Sequence, residues 1–88
     1  MANIRGFERR TYLEIVASIL NVCRYGTRKT RVMGICNMSS KQLTGYLDML
    51  LKANLLLIEN DGQPLLLRVS EKGKGFLKTY NSVVTMLE

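Results

Sequence analysis

Residues 29–51 read KTRVMGICNMSSKQLTGYLDMLL, and the stretch divides in its middle. The first part clusters Val32, Met33, Ile35 and Cys36, the apolar side of a short helix that hardly outlasts Asn37. Met38-Ser39-Ser40 then reads as a tight turn whose hydroxyls can cap a new helix, in which Leu43, Tyr46, Leu47, Leu50 and Leu51 form an apolar stripe. Asn54 is a suitable stop, because Asn tolerates the left-handed backbone at a helix C-terminus. The pattern predicts two helices, at about 30–37 and about 40–53, whose short connection leaves the second standing proud of the core.

Upstream, Tyr12, Ile15, Val16, Ile19, Leu20 and Cys23 recur on one helical face and predict a first helix from about Phe7 to Arg24. Gly26 supplies a helix-ending residue, and Thr27 or Thr30 can cap the helix that follows. Downstream lie two β-type runs, Leu55 to Glu59 and Leu65 to Val69, separated by Asn60-Asp61-Gly62-Gln63-Pro64 with its Asp-Gly turn signal. Pro64 has no amide proton, so the ladder should begin after it. Ser70 is placed to cap a last helix over 71–88, although Gly73 and Gly75 weaken its first turns. The order α-α-α-β-β-α, mainly helical with one small hairpin spanning 55–69, is that of a winged helix-turn-helix, expected here as a single domain over 1–88.

The composition bounds what such a chain can do. At 88 residues, 47% hydrophobic and 23% charged, it has apolar material for one core. Its longest aliphatic run, Leu55-Leu56-Leu57-Ile58, is far below the roughly 20 residues of a membrane span, and no basic-then-apolar leader opens it; a soluble, cytoplasmic protein is expected. Cys23 and Cys36 sit among helical apolar positions and read as core thiols, and the absence of His removes the usual zinc sites and the usual nucleophile–base pairs. The seven carboxylates form no convergent pair, and Gly73-Lys74-Gly75 lacks the spacing of a phosphate-binding loop. No enzyme, metal, cofactor or small-molecule ligand is expected.

The formal charge is +6, and the excess is local. Residues 1–31 carry seven basic side chains against Glu8 and Glu14, whereas residues 32–68 are balanced. Arg24, Arg28, Lys29 and Arg31 lie within eight residues that contain no acid, a density that attracts a polyanion. Double-stranded DNA is the partner this charge suggests, alongside the plainer reading of a solvated basic loop.

At Lys29-Thr30-Arg31-Val32-Met33, Leu43-Thr44-Gly45, Tyr46-Leu47-Asp48-Met49-Leu50 and Ser70-Glu71-Lys72-Gly73 the chain resembles the small archaeal winged-helix DNA-binding proteins of this size, a group of predicted transcription regulators and chromatin-type proteins. The resemblance covers nearly the whole chain, and the Lys-Thr-Arg-aliphatic-Met run is its most distinctive part. It implies a DNA-binding homodimer joined through the C-terminal helix. Two departures stand out: the last helix stops at Glu88 where longer members continue, and Asn54 occupies a position often held by Gly.

Placed on this framework, the third helix offers Ser40, Lys41, Gln42 and Thr44 to base edges in a major groove, since Gln pairs with adenine, Lys with guanine and Thr with a base or the thymine methyl. Arg28, Lys29, Thr30 and Arg31 open the second helix, whose amides and dipole already favour a phosphate. Gln63 at the hairpin tip and Arg68 on its return strand could reach a minor groove. Leu77, Tyr80, Val84 and Leu87 follow a 3-4 spacing suited to a dimer seam. Leu56, Ile58 and Leu66 alternate against Leu55, Leu57, Leu65, Leu67 and Val69, so both hairpin faces read as apolar and in want of a second cover. Three functions stay open: a dimeric transcription regulator, a nucleoid-associated architectural protein with little sequence preference, and a winged helix that docks a protein. The target sequence, the regulated genes and any effector are not legible.

Overall fold

An apolar residue at nearly every third or fourth position makes α1 (Ile4–Val22) the longest helix of the computed structural model, which describes residues 4–59 and 65–88 and their side chains from Tyr12 onward. α1 starts ahead of the expected Phe7, since of the preceding residues only Gly6 opposes a helix. It stops at Val22 rather than Arg24 because the Cys23 carbonyl accepts a hydrogen bond from the Val69 amide (2.9 Å) and Gly26 turns the chain at φ +84°. α2 follows at Lys29–Cys36, α3 at Ser40–Lys52, β1 at Leu56–Glu59, β2 at Leu66–Val69 and α4 at Glu71–Leu87.

The cap expected of Thr27 or Thr30 is not formed. Arg28 is the N-cap of α2 and its side chain makes no capping bond, while Thr30 lies inside the helix. Thr27 is committed elsewhere: it exchanges both backbone hydrogen bonds with Leu67 (2.9 and 2.8 Å), so the second edge of β2 is closed by the α1–α2 turn. Asn37, at φ 55°, ends α2, and its amide and that of Met38 both reach the Met33 carbonyl.

Ser39 caps α3 with a reciprocal pair. Its Oγ accepts from the Gln42 amide (3.1 Å) and its own amide donates to Gln42 Oε1 (3.1 Å). At the other end Asn54 takes φ 63°, its amide bonding to the Leu51 carbonyl (3.1 Å) and that of Leu55 to Leu50 (2.9 Å), which is the paired closure of a Schellman turn.

The Ser70-Glu71-Lys72-Gly73 run welds α4 to that same turn. Ser70 Oγ accepts from the Gly73 amide (2.9 Å) and donates to the Asn54 carbonyl (2.6 Å). Lys72 Nζ donates to the Ala53 carbonyl (2.7 Å), placing a cation on the negative end of the α3 dipole. A Cβ at Gly73 would run into the Leu55 carbonyl and a Val69 methyl, so this glycine permits close approach rather than merely weakening a helix turn.

β1 and β2 pair antiparallel with Leu56 opposite Val69 and Ile58 opposite Leu67. This register corrects the alternation read from sequence: Leu66 falls with Leu57, Glu59 and Arg68 on the outer face, which therefore carries an ion pair and is not uniformly apolar. Leu56, Leu67 and Val69 turn inward to meet Ile19 and Leu20 of α1, Cys23 just beyond it, Val32 of α2, Leu43, Leu47 and Leu50 of α3 and Leu77 of α4. Each large aliphatic side chain so buried contributes about 1.5–3 kcal/mol. The expected turn at Asp61-Gly62, with Gln63 and Pro64, lies outside the described residues.

Candidate nucleic-acid interface

Lys29 is the first residue of α2 and Thr44 stands one turn into α3, yet Lys29 Nζ donates to Thr44 Oγ1 at 2.8 Å. The Thr44 hydroxyl in turn donates to the Ser40 carbonyl (2.8 Å), which fixes its rotamer. The basic start of α2 and the solvent-facing side of α3 thus share one surface. In the same two segments Arg28, Thr30 and Arg31 are exposed, as are Ser40, Lys41, Gln42, Thr44, Gly45 and Asp48, while Lys29 is half-buried. A Cβ at Gly45 would meet nothing, so the middle of that helix face is open to a large partner.

The ion pairs among the described residues are Arg68–Glu59 (2.9 Å) and Lys74–Glu71 (3.1 Å), neither of which involves Arg28, Lys29, Arg31 or Lys41. The N-cap side chain makes no bond to α2, so the helix's first amides are not satisfied by a cap. Asp48, at the far end of the α3 face, is the one carboxylate there. Arg24 is drawn back onto α1 through a bond from Nε to Asn21 Oδ1 (2.9 Å), which takes it out of the cluster.

Not every nominated residue is at liberty. The carbonyl oxygen of Gln42 is engaged in the α3 cap, so only its amide nitrogen can read a base. Arg68 is half-buried on the outer wing face and bound to Glu59 and to the Arg24 carbonyl (3.4 Å), so it is not an extended wing cation. Gln63 lies outside the described residues. Tyr25, 85% exposed in the turn that leads to the cluster, was not singled out from sequence; an aromatic beside a basic run was the signal available.

The nominated dimer seam also needs redrawing. Leu77 is 1% exposed and belongs to the protein's own core, because the first turns of α4 lie across the hairpin and α1. Tyr80 and Val84 are half-buried, Tyr80 stacking on Phe76 with ring centroids 6.3 Å apart. Toward its end α4 leaves the core, and Val83, Met86 and Leu87 are open to solvent. Leu13 of α1 joins Tyr80, Val84 and Leu87 in a groove of about 410 Å³.

The two thiols play no visible part. Burial, reinforced by the neighbouring Cys36 thiol, pushes Cys23 up to about 12, and burial raises Cys36 as well, so both stay protonated near neutrality. No helix among the described residues is long and apolar enough to cross a membrane. A search of curated proteins finds no significant match. A family profile described as winged helix-turn-helix matches residues 9–88, from early in α1 to the end of the chain. That fold typically binds DNA through the second helix of its helix-turn-helix and is typically non-enzymatic. With the α-α-α-β-β-α order, the capped turn between α2 and α3 and this match over most of its length, the chain belongs to the winged helix-turn-helix family.

Proposed function

We propose that the protein is a DNA-binding transcription regulator that acts as a homodimer, with α3 in the major groove and the start of α2 on the sugar-phosphate backbone. The observation that carries this reading is the Lys29–Thr44 hydrogen bond, which joins the cationic ledge to the protruding helix face so that one duplex can lie across both. Arg28, Lys29 and Arg31 take phosphates, Thr30 adds a hydroxyl donor, and Ser40, Lys41 and Thr44 face base edges with the amide nitrogen of Gln42 beside them. Most of the affinity then derives from phosphates and is sensitive to salt. Such a protein works on the chromosome, in the cytoplasm.

Tyr80, Val84 and Leu87, with Val83 and Met86, supply the apolar surface that a second copy covers. A twofold dimer would present two α3 helices to successive grooves. Sedimentation at rising concentration tests this half of the reading: a dimer that dissociates in Leu87→Glu supports it, and a monomer throughout contradicts it.

One observation favours a second reading, an architectural protein with little sequence preference. Gln42 and Thr44, the best base readers by chemistry, are both held by intramolecular bonds. Selection of fragments from random DNA by the purified protein separates the two, since a regulator enriches a motif and an architectural protein enriches none.

A further inference from the structure

From the sequence Arg68 reads as a wing residue that touches nucleic acid, but in the fold its head group is engaged within the protein. Its Nε donates to Glu59 Oε2 at 2.9 Å, and its Nη1 reaches across to the Arg24 carbonyl at 3.4 Å. Its Nη2 and Cζ lie 3.0 and 3.5 Å from where a Cβ on Gly26 would stand, so the guanidinium rests on the bare backbone of that residue. Gly26 is held at φ +84°, and the next residue, Thr27, is locked to Leu67 by two backbone bonds. Two of its donors are therefore engaged, one by the wing's Glu59 and one by the turn between α1 and α2, and the head group lies against Gly26 of that turn. That turn runs directly into Arg28, Lys29 and Arg31.

We infer that Arg68, oriented by Glu59, is a positioning residue that docks the α1–α2 turn on the wing and so sets the cationic ledge against α3. The inference rests on the proposed DNA-binding function. A planar head group with several donors suits this task, because it meets a carboxylate and a carbonyl in fixed directions while lying flat on a glycine. If Arg68 touched DNA instead, it would give up these bonds to do so, and Glu59 would be a competitor for it. The two roles predict opposite signs for a single substitution. Removing the Glu59 charge frees a DNA-contacting arginine and strengthens binding; it loosens a positioning arginine and weakens binding.

The test measures affinity for a short random-sequence duplex by fluorescence anisotropy across a salt series, well below each variant's melting temperature. Wild type, Arg68→Met, Glu59→Gln and the charge control Lys74→Met are compared. A positioning role predicts an affinity loss of threefold or more in both Arg68→Met and Glu59→Gln, beyond that of Lys74→Met, with the slope of log K against log salt unchanged. A slope flatter by about one unit in Arg68→Met together with tighter binding by Glu59→Gln overturns it in favour of direct contact. An Arg68→Met affinity equal to that of Lys74→Met also overturns it. Should wild type itself bind DNA without salt dependence, the functional reading fails, and amide exchange decides the positioning claim alone. Faster exchange at the Thr27 amide in both variants supports the claim, and unchanged exchange rejects it.

Discussion

Lys29 and Thr44 are separated by fifteen positions in sequence and by 2.8 Å in space, and the contact makes them experimentally separable from their neighbours. Lys29→Ala should weaken binding to every duplex and flatten the salt slope by about one unit, as expected of a residue that displaces one counterion. Gln42→Ala should behave differently, because its carbonyl oxygen accepts from the Ser39 amide. Breaking that reciprocal cap should lower stability by about 0.5–2 kcal/mol in urea melts while leaving the salt slope as in wild type. Cys23 makes a pH prediction. Its thiol titrates at about 12 in the fold against an ordinary value of 9.0, so between those limits the unfolded chain ionises while the folded one keeps its proton. Stability therefore falls as pH rises through that window, with no contribution from this thiol below it. Urea melts from pH 8 to 11 should show a shallower decline in Cys23→Ala than in wild type, and parallel curves would contradict the assignment.

At the scale of elements, one helix stop and one close approach carry separate predictions. Asn54 sits at φ 63°, so Asn54→Gly should be tolerated or mildly stabilising and Asn54→Ala should cost about 1 kcal/mol in thermal melts. Gly73→Ala should be worse than either, since its Cβ would collide with the Leu55 carbonyl that the Ser70 amide uses to anchor α4. The helices were legible because apolar spacing reports the buried face of a helix directly, and Asn54 and Ser70 were read as caps for the same local reason. The cap of α2 was not legible. Thr27 looks like a capping residue, but its backbone pairs with Leu67 forty positions away, a partner no local pattern reveals. Arg68 is a similar case: a lone basic residue on a strand looks unpaired in the sequence, and only the fold brings the carboxylate of Glu59 beside it. The hairpin alternation failed because a run of leucines gives no contrast between faces, so only the register could assign Leu66.

For the whole molecule, charge asymmetry and surface geometry have to coincide if the protein is to work on DNA. The sequence placed the charge early in the chain but could not place it in space, and the fold brings Lys29, within that basic run, against Thr44 on α3. At the opposite extreme of scale, Leu77 shows how a heptad-like spacing can be absorbed by the protein's own core, leaving Val83, Met86 and Leu87 as the surface a second copy would bury. Duplex DNA affinity of wild type, Lys29→Ala and Arg31→Ala, followed between about 50 and 200 mM salt, tests the central claim most directly. A steep linear fall of log K with log salt in wild type, flatter by about one unit in each variant, is the predicted result. An affinity that barely changes over that range, or slopes identical in all three proteins, would contradict it.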